Sequence, residues 1–415
     1  MIDQAAGVRI MRRVDELAVI SADPERLTRT FLSPEHRRAN DLVRAWMHEA
    51  GMAVHVDAIG NVVGRYEGER PGLPALLLGS HLDTVRDAGR YDGMLGVVTA
   101  IECVAQLQRA QQRLGFAVEV IGFGDEEGVR FGATLLGSRA VAGTFDRGAL
   151  TARDSDGIAL SDALRAFGLD PEALPTAARA AQDLLAYVEL HIEQGPVLER
   201  AGLGVGCVTS ISGATRLAFE LIGQAGHAGT VPMTARRDAL AAAAEAILSV
   251  ERRCGSEADL VGTVGRIEAK PGAVNVIPGY CRFTVDIRAP DDAQRLRAVA
   301  EVKAAIRGIG ERRGVAVELT TLHESSAAPC APWLMQQIDG AIEAQQLPAL
   351  RLPSGAGHDA MAMAAIADVG MIFVRCAGGI SHHPDERIST ADAALGAATL
   401  AQFVRDFAPL RRARA

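Results

Sequence analysis

The chain has 415 residues, 48% hydrophobic and 23% charged, and its 43 Lys and Arg stand against 51 Asp and Glu for a formal charge of −8. At roughly 100–200 residues per domain, that length suggests two domains or three. The composition excludes a largely disordered chain, and the acidic balance argues against a nucleic-acid binder, which needs a basic face. No apolar run approaches the roughly 18–20 residues needed to span a bilayer, so no membrane partner is expected. The opening residues, MIDQAAGVRIMRRVDEL, carry no apolar signal-peptide core. The six cysteines form no CxxC pair and read as reduced and mostly buried. A cytoplasmic enzyme is the expectation.

Residues 1–55 read as helical, with Ser33-Pro34-Glu35 as a helix start and apolar spacing from Arg38 to Ala50. Short apolar runs then alternate with helical stretches. Leu76–Leu78, Ala117–Phe123 and Asp183–Leu190 read as strands, and Gly96–Arg109 between the first two reads as a helix. This rhythm implies an α/β domain with a mixed or parallel sheet, whose ligands gather at the carboxyl ends of the strands. The middle of the chain changes character. Thr215–Ile222 and Gly279–Arg288 read as strands, Asp238–Arg253 and Ala293–Arg313 as helices, and 324–332 as a linker. Val369–Val374 and Ala391–Phe407 resume the first pattern. The expectation is a first domain of residues 1–209 and 329–415, with an α+β unit of residues 210–328 inserted in it.

Phosphate-loop, HExxH and GxSxG motifs are absent, and the glycines around Gly124 flank three acids where a phosphate would sit. What remains is a set of polar clusters after predicted strands: GSHLDT at 79–84, YDGM at 91–94, GDEEG at 124–128, HIEQG at 191–195 and GISHHP at 379–384. Taken singly, a strand-end His or Asp is more often a loop cap. Five together are harder to dismiss, because gathered carboxylates cost heavily unless something positive neutralises them. Divalent cations would do so, and mixed His, Asp and Glu ligation suits zinc or manganese, with cobalt or nickel as further candidates.

The series GSHLDTV, YDGMLGV, DEEGVRF, HIEQG, GHAGTVPM, NVIPG, SGAGHDAM and GISHHPDE resembles the amidase, hydantoinase/carbamoylase family. That family lies within the aminoacylase and carboxypeptidase superfamily of two-metal hydrolases. The resemblance spans about residues 33–400. It implies a mixed-sheet catalytic domain with an inserted dimerisation, or lid, domain. It further implies metal ligation by His81, Asp92, Glu127, His191 and His382, with Asp92 bridging two divalent ions. Asp83 would orient His81, and Glu126 would be the general base. His383 is a rival for the place of His382. A register slip would give the roles of Glu126 and Glu127 to Asp125 and Glu126, but the following Gly128-Val-Arg130-Phe131 favours the first assignment.

By the same resemblance, His227 stabilises the developing oxyanion, Asn275 and Arg288 hold the substrate carboxylate, and Gln194 and Gly357 lie close to the substrate. His358 reads equally as a core histidine, and His36, His48, His55 and His323 as structural. The implied assembly is a homodimer in which His227 and Asn275 act on the partner's site. The implied activity is hydrolysis of a linear ureido C–N bond in a small carboxylate such as an N-carbamoyl-L-amino acid or allantoate, releasing ammonia and carbon dioxide. An aminoacylase or dipeptidase on the same scaffold is the alternative. A non-catalytic binding protein would be expected to have lost some of these residues, and none is missing.

Overall fold

The computed structural model describes residues 2–410. Two compact units emerge. The larger runs to Thr209 and takes up Cys330–Leu352 and the chain from Ala356 onward, and the smaller comprises Ser210–Pro329 with Pro353–Gly355. Among the described residues, no helix is long and apolar enough to cross a membrane.

In the larger unit the apolar runs become the strands Ala75–His81, Ala117–Phe123, Leu184–Ile192 and Val369–Val374. Nearly every residue in them is buried, as a parallel sheet covered on both faces requires. They pair in parallel in the order Ala117–Phe123, Ala75–His81, Leu184–Ile192, Val369–Val374. Antiparallel strands flank them, Val62–Tyr66 and then Ala53–Val56 on one side and Val205–Ile211 on the other. The four parallel strands therefore release their chain at one edge, where segments 82–93, 124–135, 193–196 and 375–389 begin.

The helix Met94–Arg109 is buried along most of its length. It lies so close to the sheet that a Cβ at Gly96 would come within 2.2 Å of the Leu190 carbonyl oxygen. Pro34–Glu49 starts as its sequence suggests, with the Ser33 hydroxyl accepting the His36 N–H at 3.0 Å and Pro34 in the first turn. The last helix, Thr390–Asp406, is capped in the same way by Ser389.

Two expectations change. Residues 1–55 are not helical throughout: the helices are Gln4–Ala18 and Pro34–Glu49, and Ala53–Val56 is an edge strand. Between the helices the fully buried Arg29 donates to the carbonyls of Leu17, Ile20 and Leu82, a tertiary arrangement that no local periodicity encodes. The strand turns at Asp57, whose carboxylate accepts the N–H groups of Ile59, Gly60 and Asn61. The stretch read as a linker at 324–332 is largely structured. It contains the end of the Ala316–Ser325 strand, the short strand Ala328–Pro329 and the start of the helix Pro332–Glu343, where proline suits the first turn.

The smaller unit is a four-stranded antiparallel sheet ordered Ala316–Ser325, Gly213–Ile222, Tyr280–Ala289, Val261–Lys270. Alternation at period two sends Leu217, Phe219 and Leu221 into a core with the helices Ala239–Cys254 and Asp292–Arg313. Arg216 and Glu220 alternate with them and point to the opposite face.

Gly96→Ala is expected to destabilise the larger unit by about 1–3 kcal/mol through overpacking. A lower urea midpoint at unchanged slope would record this.

Candidate metal centre

Each parallel strand delivers part of one cluster. His81 is the last residue of its strand, Asp92 and Gly93 close the loop that follows, and the Asp125–Glu127 acids follow Phe123. His191 stands one residue before the end of its strand, and Ser381 and His382 follow Val374.

The Asp92 carboxylate is the meeting point. His191 Nε2 lies 3.1 Å from it, His382 Nε2 3.1 Å and His81 Nε2 3.4 Å. Gln194 Nε2 donates to it at 2.9 Å and the Ser381 hydroxyl at 3.1 Å. Burial would raise the Asp92 carboxyl, but the three imidazoles outweigh burial and hold it well below its ordinary value. Burial would likewise lower His81, and the carboxylates of Asp83 and Asp92 instead raise it well above its ordinary value.

The neighbouring carboxyls move the other way. Burial pushes Glu126 well above the carboxylate range, with Glu127 and Asp359 adding to the rise against the opposing pull of His81. Burial and the Asp92 charge push Glu127 up to about 7. Burial is the main cause of both rises, and a cation bound beside these carboxyls would favour their ionised forms.

The donor atoms fit that role. His81, Asp92 and His191 offer nitrogen and oxygen atoms within 4.8 Å of one another, and so do Asp92, Glu127 and His382. The two groups share Asp92. Two further groups, His81 with Glu126 and Glu127, and Glu189 with His191 and His358, meet the same spacing. Divalent ions that accept mixed nitrogen and oxygen donors match this set.

Several details go beyond the sequence reading. The Nδ1 of His81 faces the main-chain carbonyl of Asp83 at 3.0 Å, and the Asp83 carboxylate stands 3.5 Å away. That carboxylate instead accepts the N–H groups of Glu126 at 2.9 Å and Glu127 at 3.2 Å. Asp83 therefore fixes the acidic pair as well as lying beside His81. Glu126 and Glu127 sit in a bend after the strand rather than in extended chain, so it is the bend that sets their directions. Asp125 is buried and belongs to none of the four groups. His383 is exposed and its Nδ1 accepts the Asp385 N–H at 3.1 Å, away from the groups that include His382.

Glu386, the last residue of GISHHPDE, has no role in the sequence analysis. Its carboxylate accepts the N–H groups of Tyr91 at 2.8 Å and Asp92 at 3.1 Å and the Ser381 hydroxyl at 2.9 Å, tying the Asp92 loop to the His382 loop. Beneath the cluster, Glu189 accepts the hydroxyls of Ser80 at 2.9 Å and Tyr187 at 3.1 Å. The buried His358 stacks edge-on against His191 with ring centres 4.5 Å apart, and burial with the nearby His191 keeps it well below the ordinary histidine range. Gly357 lies beside Glu126, and a Cβ there would be 3.5 Å from the Glu126 carboxylate. Gln194 and His382 both hold positive φ, at 57° and 55°, a conformation that costs a non-glycine residue energy and is common where geometry serves function.

His227, Asn275 and Arg288 all belong to the smaller unit. His227 and Asn275 are exposed neighbours, since His227 pairs with Val276 and the Ala228 N–H donates to the Asn275 carbonyl at 2.9 Å. Arg288 is half-buried and held by Asp286 through two hydrogen bonds of 3.1 and 3.0 Å.

Asp83→Ala is expected to weaken divalent-metal affinity by about 10–100-fold, the usual cost of losing a group that orients ligands. Titration calorimetry of the metal-free protein with zinc or manganese would measure it. Affinity should also fall as pH drops below about 7, because Glu127 then takes up the proton that a metal must displace. The same titration run between pH 6 and 8 checks the sign.

The chain is similar to known proteins over most of its length. The family model Peptidase family M20/M25/M40 matches residues 77–406. The N-carbamoyl-L-amino acid amidohydrolase of Geobacillus stearothermophilus is 42% identical over 395 residues, covering 95% of this chain and 97% of that protein. Allantoate deiminase 1 of Glycine max is 42% identical over 422 residues, covering 94% of this chain and 87% of that protein. A crystal structure of a hydantoinase/carbamoylase family amidase from Burkholderia multivorans matches with a TM-score of 0.91 at 33% identity, covering 97% and 98% of the two chains. The chain therefore belongs to the metal-dependent hydrolases of peptidase family M20/M25/M40, as an amidohydrolase akin to its hydantoinase/carbamoylase members.

Proposed function

We propose that this enzyme hydrolyses the linear ureido C–N bond of small carboxylates, N-carbamoyl-L-amino acids or allantoate, and releases ammonia and carbon dioxide. The observation that carries this reading is the sharing of Asp92 between two overlapping donor groups, His81 with His191 and Glu127 with His382. Relatives named for cleavage of both substrates support the choice of bond. His81, Asp92, Glu127, His191 and His382 would hold two divalent ions, zinc or manganese. Such a pair supplies a polarised carbonyl and a water acidified toward neutral pH.

The chain's own groups do the rest. Glu126 accepts the proton of the attacking water and returns it to the leaving nitrogen. In the metal-free protein burial raises its carboxyl, the direction that favours a proton acceptor. Asp83 holds the backbone of Glu126 and Glu127 so that one acid serves as base while the other ligates. Gln194 and Gly357 flank the reacting group. His227 donates to the oxyanion, and Asn275 and Arg288 hold the carboxylate, for which a planar guanidinium is well shaped. The active form is a cytoplasmic homodimer in this reading.

The test is ammonia release from metal-reconstituted protein over a panel of allantoate, N-carbamoyl-L-amino acids and N-acetyl amino acids, the last followed by free amine. Glu126→Gln is expected to lower kcat by at least about 10²-fold while keeping its metal content. Chelation should abolish turnover, and manganese or zinc should restore it. Cleavage of the acetyl compounds alone would transfer the protein to the aminoacylase reading.

A further inference from the structure

Glu386 belongs to none of the donor groups of the metal centre, yet its buried carboxylate serves two of that centre's loops at once. Oε1 accepts the N–H groups of Tyr91 at 2.8 Å and Asp92 at 3.1 Å, in the segment 82–93. Oε2 accepts the Ser381 hydroxyl at 2.9 Å, in the segment 375–389, one residue before His382. The room for this side chain comes from Gly89, where a Cβ would lie 2.2 Å from the Glu386 carboxyl carbon.

The two donor groups that share Asp92 do not depend on this clasp equally. His81 and His191 are buried and stand on buried strands, so the sheet itself fixes them. His382 stands on a loop, with 50% of its side chain exposed and a positive φ. That loop is tied to itself: the Ala377 N–H donates to the Arg387 carbonyl at 2.8 Å, and the Glu386 N–H to the His383 carbonyl at 3.0 Å. Neither bond attaches it to Asp92. Gln194 supplies one attachment, from Nε2 to Asp92 and Ser381. Glu386 supplies another, and it grips the main chain of the Asp92 loop as well as Ser381. The single Ser381 hydroxyl proton reaches either Glu386 Oε2 or Asp92 Oδ2, 3.1 Å away, but serves one at a time.

We propose that Glu386 is a positioning residue for one ion of the pair: it sets His382 against Asp92 and so supports metal binding by Asp92, Glu127 and His382, not by His81, Asp92 and His191. This rests on the two-ion reading above. The role is one of reach rather than charge, because both oxygens act as acceptors for fixed donors. A glutamine keeps the reach: its carbonyl oxygen takes the two N–H groups, its amide donates to Ser381, and the Ser381 hydroxyl turns to Asp92. An aspartate keeps the charge but is one methylene too short to hold both loops.

The test is calorimetric titration of metal-free wild type, E386A, E386D, E386Q and H382A with zinc. The binding step that H382A loses marks the ion of Asp92, Glu127 and His382. E386A and E386D are expected to weaken that step by about 10–100-fold and the other by less than about threefold, with E386Q within about threefold of wild type at both. Equal weakening of both steps, weakening of the other step alone, no change, or E386Q as weak as E386A overturns the proposal. Removing the carboxylate leaves two main-chain N–H groups unpaired, so melting temperatures are measured alongside. Where E386A and E386D do not fold, S381A decides, since it cuts only the link to the His382 loop. A loss of about 2–10-fold at the same step sustains the proposal, and no loss there overturns it. Should the wild type take up a single ion, the two-ion reading fails separately. The one step then decides the clasp: a loss in E386A that E386Q restores sustains the positioning role, and no loss, or one that E386Q does not restore, overturns it.

Discussion

The Asp92 carboxylate is the constraint around which the metal centre is arranged. Three imidazoles, an amide and a hydroxyl converge on it within 3.4 Å. This keeps Asp92 ionised, while burial drives the carboxyls of Glu126 and Glu127 upward. Carboxyls crowded in one buried place separate in this way, because they cannot all carry charge without a compensating cation. The supports of Asp92 follow from that demand. Gly93 adopts a positive φ of 74°, and a Cβ there would sit 2.6 Å from the His81 ring. Glu386 takes the N–H groups on either side of the Tyr91–Asp92 bond and holds the loop from below.

The sheet makes this convergence possible. Four parallel strands end at one edge, and the polar residues sit where each strand stops or just after. The strands are apolar and buried on both faces, so the chain can become polar only at their ends. A rigid element thus carries each donor to the cluster, and bends supply the final directions. The Asp83 carboxylate shows the economy of the arrangement, since it accepts two main-chain N–H groups from the next strand's loop.

The smaller unit solves a different problem with the same elements. Its antiparallel sheet buries one face against two helices and leaves the other for polar side chains. Burial opposes the charge on Asp286, but Arg288 and Arg216 overcome it and keep the carboxyl below its ordinary value. An acid flanked by one arginine on the neighbouring strand and another two residues along its own strand is a preorganised set of donors rather than a simple ion pair.

Much of this was legible in the sequence. The strands Ala117–Phe123 and Val369–Val374 keep the limits their apolar runs suggest, because a buried parallel strand is written as an unbroken hydrophobic stretch. The donor residues were visible as His, Asp and Glu clusters after such runs, and Ser33 marked its helix start. Other features needed the tertiary structure. The edge strand Ala53–Val56 looked helical, because four residues are too few to show a period. The Asp83 carboxylate bonds to main-chain groups 43 and 44 residues away, and Glu386 to groups 295 and 294 residues away. Backbone N–H groups have no sequence signature. The Arg216–Asp286–Arg288 arrangement exists only because strand register sets residues 70 apart side by side. The sequence by itself determined which donors the protein has and which elements end in them. The tertiary structure alone decided which groups hold the shared Asp92 carboxylate and the acidic pair in place, because long-range pairing, not local pattern, brings strand ends together.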